Sequence, residues 1–432
     1  MEMTSWGRFP RIDAVGHTPR NEAALRACVL AGGEKIAHGM GRSYGDSALN
    51  REVILTGGFR YFLDFDSKTG IITCEAGVSL SDIIDVILPR GWFLPVTPGT
   101  RFVSLGGAIA SDVHGKNHHL SGSFCDHVLG FDLMIADGAT VRCSRSENED
   151  LFHATCGGMG LTGVILRGSF RLQKVKSCLI RQEIFKAANL SEVIALFEEK
   201  SAWSYSVAWI DCLATGTKLG RSLLMVGEHA DKGTLFRSPA KTLSVPFDFP
   251  RFCLNRYSVS AFNHLYHRRK GASTGEQTVS LDHFFFPLDS ILHWNRIYGA
   301  GGFTQYQFVL PKAAGVEGLR AILARIARSG RGSFLAVLKL FGKGNDNLLS
   351  FPMEGFSLAL DFKIERGLFP LLDELDHIVT DHGGRLYLAK DTRMRAGVFR
   401  RGYPKWEVFR GIRETHGLVD RFNSLQARRL EI

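Results

Sequence analysis

The chain has no CxxC pair, no long apolar run and no block of consecutive basic residues, and each absence removes a class of function. Its cysteines, Cys28, Cys74, Cys125, Cys143, Cys156, Cys178, Cys212 and Cys253, are scattered singly. The paired spacing of a structural zinc site or a dithiol redox motif is therefore missing. They read as reduced, mostly buried thiols of a cytosolic-type protein. No apolar stretch reaches the roughly 20 residues that a spanning helix needs. The opening MEMTSWGRFPRIDAVG also lacks the apolar centre of a signal peptide. Lys and Arg total 53 against 43 Asp and Glu, a formal net charge of +10. That excess suits nucleic acid, an anionic membrane surface or a phosphorylated substrate. The densest basic group, HRRK at 267–270, is short, which argues against nucleic acid. Repeats and low-complexity tracts are absent. At 432 residues the chain exceeds what one core supports, so two domains are expected.

What the chain does have is glycine, in three clusters. Residues 39–45 read GMGRSYG, residues 97–124 read TPGTRFVSLGGAIASDVHGKNHHLSGSF, and residues 157–163 read GGMGLTG. Glycine permits close backbone approach or positive φ, at an entropic cost that needs a reason. The second cluster is poor in large apolar side chains at its polar end, so it is poorly suited to packing alone and suggests a cradle for a large anionic cofactor. A dinucleotide fingerprint fits badly. That motif joins a strand to a long helix and has an acidic residue about 20 positions on, whereas GMGRSYG runs through DSALN into another strand. The Walker lysine is missing too. Separate loops that wrap one extended cofactor with their N–H groups fit better.

The coarse pattern changes near residue 176. Before it lie an amphipathic helix and short strand over 21–37, the β-type runs VILTG and GIITCEAG, a helix at SLSDIIDVILPRG, and a hairpin with a DG turn over 128–142. A helix, a GG turn and a strand follow over 151–173. After it, YSVAWID, TQYQFVLP, FLAVLKLF and GFSLALDF predict strands of one antiparallel sheet with a buried face. Helices at EGLRAILARIARSG and LFPLLDELDHIVTDHGG would cover it. The aromatic, basic stretch over 240–290 reads as irregular and mobile.

The three loops are similar to those of flavoproteins of the vanillyl-alcohol-oxidase type, with their G-x-G-H-S, PG-x-x-x-x-x-GG and GG-x-G-x-x-G-I/V segments. Within that superfamily GMGRSYGD, TPGTRFVSLGGAIASDVHGKNHH, QYQFVLP, LKLFG, RLYLAKD and ARRLEI resemble the decaprenylphosphoryl-β-D-ribose 2-oxidase family. The likeness runs from SWGR at 5–8 to residue 432. It implies an α+β, two-domain PCMH-type fold, with an FAD-binding domain over 1–176 and a substrate domain over 177–384 built on a helix-covered antiparallel sheet. A C-terminal segment, 385–432, would return to the FAD domain and the active site. The implied reaction is FAD-dependent oxidation of a secondary hydroxyl, C2 of a polyprenyl-phosphoryl pentose, to a 2-keto sugar. This is the first half of a 2-epimerisation that a separate NAD-dependent keto-reductase completes. The expected location is cytoplasmic, with peripheral contact to the inner membrane surface open on either face.

Carried over by position, His38, Gly39, Met40, Gly41, Arg42, Ser43, Tyr44 and Gly45 would hold the pyrophosphate and ribityl chain. Gly99, Ser104, Leu105, Gly106 and Gly107 would continue the cradle, and His114, Gly115, Lys116 and Asn117 would border the isoalloxazine. The backbone at Val164 and the side chain of Tyr387 would complete it. Arg42 stands where covalently flavinylated relatives carry a histidine, and arginine cannot make the 8α-histidyl bond. The FAD is therefore expected to be non-covalent.

Oxidising a secondary alcohol needs a hydride acceptor and a base for the hydroxyl proton. Lys390 in LYLAKD matches the family's candidate base, with Tyr44 beside it. A lysine titrates near 10.4 in water, so this role requires desolvation or a cationic neighbour, for which Lys116 is available. Tyr44, Gln307 and Lys339 match positions that orient the sugar and bind its phosphate. Outside the family frame, Lys390 reads as a surface salt-bridge partner of Asp391. In GFSLALDF two positions depart from the family: Ala359 replaces its pocket cysteine and Ser357 an asparagine. The lost amide hydrogen bonds, worth about 0.5–1.5 kcal/mol each, leave the sugar open.

His118 and His119, adjacent and without a carboxylate, make a poor metal site and read as loop residues, so no metal is expected. Trp209 to Asp211 either lines the pocket or packs the sheet, and Met40 and Met159 read as loop packing. Two rival functions share the cradle. A soluble oxidase of small polyols or aldonolactones would not need the 240–290 segment, and a non-catalytic FAD-binding subunit would not need Lys390 and Tyr44.

Overall fold

The computed structural model describes residues 1–237, 242–271 and 275–432. The N-terminal part builds two sheets of three or more strands, besides two strand pairs. Strands Val15–His17, Glu52–Leu55 and Ile36–His38 form a small parallel sheet with Glu52–Leu55 in the middle. Helix Glu22–Leu30 provides the crossover, and the Asn21 side chain caps it by accepting from the Ala24 N–H. A five-stranded antiparallel sheet follows in the order Thr140–Cys143, Val128–Met134, Val164–Arg171, Ile71–Glu75, Phe62–Asp66. The helix Leu80–Ile87 opens with a Ser79–Asp82 capping box and buries Leu80, Ile83, Ile84 and Ile87, the one-face spacing of an amphipathic helix.

Half of the second glycine cluster behaves differently from the sequence expectation. Leu105–Ala110 is a short helix whose Leu105, Ala108 and Ile109 are fully buried. Gly106 there serves close packing against the end of strand Ile71–Glu75, since a Cβ on it would stand 3.0 Å from that of Ala76.

The second part is an eight-stranded antiparallel sheet. Its order is Gly275–Ser280, Leu179–Ala187, Ser222–His229, Tyr205–Ile210, Ala336–Phe341, Gly355–Lys363, Phe303–Pro311, Arg385–Leu386. The period-two alternation of these strands separates two faces. Tyr306, Phe308, Leu310, Leu358, Leu360 and Leu338 share one buried cluster with the apolar residues of helices Leu190–Glu199, Lys312–Ser329 and Leu368–Asp381. The other face is polar at its centre. Register sets Gln305 against Asp361, Gln307 against Ala359, and Lys339 against Ser357.

The irregular reading of 240–290 is corrected. It contains the 15-residue helix Arg256–Lys270, capped by Asn255, and the short helix Leu281–Phe285. The sequence hides the longer helix because its inward face is polar and aromatic. Asn263 bonds Asp211, and Tyr266 packs on Trp209 at 4.9 Å. Residues 240, 241 and 272–274 lie outside the described residues. Among the described residues all eight cysteines are free, and no helix is long and apolar enough to cross a membrane.

The C-terminal helices Ala396–Gly402, Trp406–Thr415 and Leu425–Leu430 pack back on the N-terminal part. Fully buried Arg413 donates to the carbonyls of Leu161, Phe422 and Ile432 and to Asn423 Oδ1, at 2.7–3.1 Å. Arg413→Met fills similar volume but leaves four acceptors unpaired. A buried acceptor without a partner costs about 1–3 kcal/mol, so this variant is expected to lose several kcal/mol of stability. A thermal midpoint within a degree of wild type would contradict that.

Candidate active site

The 39–45 loop leaves the end of strand Ile36–His38 and runs against the C-terminal segment. Gly41 takes φ +62, and the N–H groups of Met40, Gly41, Arg42 and Ser43 have no protein acceptor among the described residues. Successive free amides around a left-handed glycine form an anion-binding nest. His38 anchors the loop, its ring Nδ1 bonded to the Ala48 carbonyl at 2.8 Å. Tyr44 N–H donates to Ala389 O at 3.0 Å. At Gly45 a Cβ would fall 1.6 Å from the Asp391 carbonyl oxygen, so only glycine lets these two backbones touch. Arg42 is held between Trp6 and Phe102, 4.3 and 5.5 Å from the ring centroids, with its Nε buried and unpaired.

Beyond the nest the polar groups are orphaned in a pattern suited to a flat heteroaromatic ring. Gln307 Nε2 lies 2.8 Å from His114 Nε2 and 3.3 Å from Ser357 Oγ. Burial, together with Lys339, His118 and Lys390, holds His114 well below the ordinary imidazole range and therefore neutral. With Nε2 accepting from the amide, its proton sits on Nδ1, which has no partner. Asn117 donates to Pro95 O at 2.7 Å and leaves its Oδ1 free, and Thr97 Oγ1 nearby is also free. Gly115 lies against Thr97 and Asn117, with a hypothetical Cβ 2.8 Å from Asn117 Oδ1. Buried polar groups are normally paired, so a free amide nest beside unpaired donors and acceptors fits FAD.

Three buried lysines lie close enough for Lys339 to act electrostatically on the other two, Lys116 and Lys390. Lys390 Nζ stands 3.8 Å from the Tyr44 ring centroid, and Gln305, Gln307, Tyr387 and Lys390 line one narrow cleft. Burial pulls its pKa far below that of an ordinary lysine, Asp361 opposes the shift, and Lys339 adds to it. Lys116 donates to the Phe284 carbonyl, lies 4.4 Å from that residue's ring centroid, and is lowered to about 7 by burial and Lys339. Burial lowers Lys339 to about 8. Asp361, fully buried, accepts from Gln305 Nε2 at 2.6 Å and Tyr298 Oη at 3.3 Å, and burial raises it well above the usual carboxylate range. The sequence reading missed Asp361. It was detectable, since Ser357, Ala359 and Asp361 alternate along one strand and share its polar face.

Other expectations are placed differently. Leu105 and Gly106 do not donate to a cofactor, because their N–H groups already bond Val78 O and Ala76 O; their part is shape. Ser104 caps their helix through Gly107 N–H at 3.3 Å. Gly99 has open space around it, so no close approach to protein explains that glycine. Met40 is 41 % exposed and packs nothing, whereas Met159 is buried. Val164 begins a buried strand, and Tyr387 donates to Ser111 O at 2.8 Å while stacking on Phe351. Trp209 donates to Phe334 O and Asp211 pairs with Arg221 and Asn263, so this run packs the sheet. His118 accepts from Gly342 N–H, and His119 bonds Trp203 O. The alternative salt bridge between Lys390 and Asp391 is overturned, because Asp391 pairs with Arg429 at 2.8 Å and accepts from the Arg393 and Met394 amides.

The nest and its orphaned ring contacts define an FAD-binding oxidoreductase, and residues 13–144 match the FAD binding domain family. The chain is 38 % identical over its whole length to the decaprenylphosphoryl-β-D-ribose oxidase of Mycolicibacterium smegmatis, covering 97 % of that protein. It belongs to the decaprenylphosphoryl-β-D-ribose oxidase family. It is also 34 % identical, over 82 % of its length, to an uncharacterised protein of Streptomyces coelicolor. The Δ24-sterol reductase of Homo sapiens is 25 % identical over 54 % of this chain and 42 % of that protein.

The lysine shifts fix a pH dependence. Folded Lys116 and Lys339 release protons at lower pH than an ordinary lysine near 10.5, so between about pH 7 and 10 the unfolded chain binds more protons. Their share of stability therefore rises with pH across that window. Lys339→Met is expected to flatten the rise in thermal midpoint, and an unchanged slope would contradict this. Arg42 leads to a second expectation: the FAD separates from the polypeptide on acid or heat denaturation, and flavin that stays attached would overturn it.

Proposed function

We propose that this chain oxidises the C2 hydroxyl of a polyprenyl-phosphoryl pentose to the 2-keto sugar, with Lys390 as the base. The observation that carries the reading is Lys390 itself. Its amine is brought to about 7 by burial, lies on the Tyr44 ring of the glycine loop and shares a narrow cleft with Gln305, Gln307 and Tyr387. A proton-accepting group works best with a pKa near the working pH, which a solvated lysine does not have. When bound, FAD supplies the hydride acceptor. Lys390 takes the hydroxyl proton, and Tyr44 walls the cleft beneath it. Gln307 orients the sugar, held by Ser357 Oγ at 3.3 Å. The serine thus replaces the family's asparagine as a hydrogen-bonding partner, and Ala359 beside Gln307 leaves room but no contact to chemistry. Lys339, lowered only to about 8 and without a carboxylate partner, keeps most of its positive charge at neutral pH, which suits the phosphate of a phosphoryl sugar.

The lipid part of the substrate would lie on the 236–270 segment. Phe236, Leu243, Phe247, Phe252, Tyr257, Phe262 and Leu265 are all exposed there, among Arg268, Arg269 and Lys270 at the end of their helix. Aromatic and aliphatic side chains interleaved with cations suit an anionic bilayer surface. This favours peripheral membrane attachment over a soluble polyol oxidase, and a separate NAD-dependent keto-reductase would complete the epimerisation. Lys390→Ala is expected to retain FAD but lower anaerobic flavin bleaching by polyprenyl-phosphoryl ribose by at least about 100-fold, the scale of a general base. Normal bleaching would sink the assignment. Flotation with phosphatidylglycerol liposomes, reduced in a Phe247→Ser/Phe252→Ser double variant, tests the membrane surface.

A further inference from the structure

The proton that Lys390 takes has to leave. Burial and the neighbouring Lys339 both oppose a positive charge retained on Lys390. Asp391, next in sequence, is fully engaged by Arg429 and by the Arg393 and Met394 amides. Asp361 is different. It lies on the polar sheet face two positions beyond Ala359, and its Gln305 partner lines the same narrow cleft as Lys390. Its other side forms the wall of a separate cavity of about 400 Å³ with Tyr298, Arg251, Arg256, Arg331 and Lys363. Asp361 therefore stands between the base and a second water-accessible space.

We propose that Asp361 is the positioning residue of Lys390 and its proton outlet: it sets the charge of the amine, accepts its proton through a water in the narrow cleft after substrate oxidation and releases that proton to water in the cavity. The proposal rests on Lys390 being the base. The balance is simple. The substrate O–H bond breaks and an N–H bond forms on Lys390, and the carbon-bound hydrogen leaves as hydride to the FAD. A cleft water then takes the proton from the ammonium, which returns to amine, and gives up one of its own to the Asp361 carboxylate; the resulting acid loses that proton to cavity water.

Charged and titratable neighbours on the cleft side are Tyr44, His114 and Lys339. On the cavity side they are Tyr298 and Glu365 with the cations already named. Glu365 is tied to Lys363 at 3.1 Å and to Arg331 at 3.4 Å. The Asp361 carboxylate favours the charged form of Lys390, so removing it makes the amine neutral at lower pH.

The test is anaerobic stopped-flow reduction of the holoenzyme by polyprenyl-phosphoryl ribose across pH 5 to 10. In Asp361→Asn the acid-side midpoint is expected to move down by about one pH unit or more. The plateau rate is expected to fall at least tenfold and to be partly restored by sodium formate, a carboxylate small enough for the cavity. A merely structural role would lower FAD retention or rate without moving the midpoint. An unmoved midpoint, or no rescue by formate, overturns the proposal. If the asparagine variant does not fold, Tyr298→Phe removes only one donor to Asp361 and is expected to shift the midpoint in the same direction; no shift there overturns it equally. Wild type that this substrate fails to bleach would instead overturn the reading of Lys390.

Discussion

The site depends on two stretches of backbone, 346 residues apart in sequence, meeting without a side chain between them: Gly45 in the cofactor loop and Asp391 beside Lys390. Around that contact Tyr44 N–H bonds Ala389 O, and the Arg429 guanidinium bridges Asp46 at 2.7 Å and Asp391 at 2.8 Å. Arg429 belongs to the last helix of the chain. A charge-assisted bridge with both carboxylates largely buried holds firmly only when all its members are present, since a lone buried charge is costly. The cofactor loop, the segment carrying the base and the C-terminus therefore lock together. This is why Lys390 can be placed on the Tyr44 ring at all: its position is set by the cofactor loop rather than by the sheet it follows.

A second constraint is electrostatic. Lys339 acts on both Lys116 and Lys390, and Asp361, which acts on Lys390, is itself pushed toward its neutral form. Desolvation lowers all three lysines toward neutral pH without removing their charge, so the site can take up an anion and exchange a proton that water would otherwise keep. The lack of counter-charge beside Lys339 favours a phosphorylated substrate over a neutral polyol. Much of the net charge of +10 is scattered, but these three lysines are gathered.

How legible this was in the sequence follows from the range of each determinant. The sheet strands were readable because alternation is local: QYQFVLP and GFSLALDF carry their two faces in their own residues. Gly41 and the free amides of the nest were readable as a glycine cluster for the same reason. The pairing of Gly45 with Asp391 was not, because nothing in either segment names its partner. Nor could the sequence separate Gly106, which packs a helix on Ala76, from the glycines that open a cradle. The helix over 256–270 was missed because its buried face is made of Asn263 and Tyr266, which meet Asp211 and Trp209 only in the folded sheet. The family likeness supplied Lys390 and Gln307 but passed over Asp361, whose meaning appears only once its strand is paired.

The two departures in GFSLALDF have unequal physical weight. At Ala359 a thiol becomes a methyl group, which changes volume slightly and removes a nucleophile that the oxidation does not use. At Ser357 an amide becomes a hydroxyl, and there the structure compensates. Gln307 Nε2 reaches both Ser357 Oγ and His114 Nε2, and that pair fixes the tautomer of His114 and leaves its Nδ1 proton free for the ring. A shorter residue at 357 thus keeps the hydrogen bond that orders Gln307, while widening the space beside it.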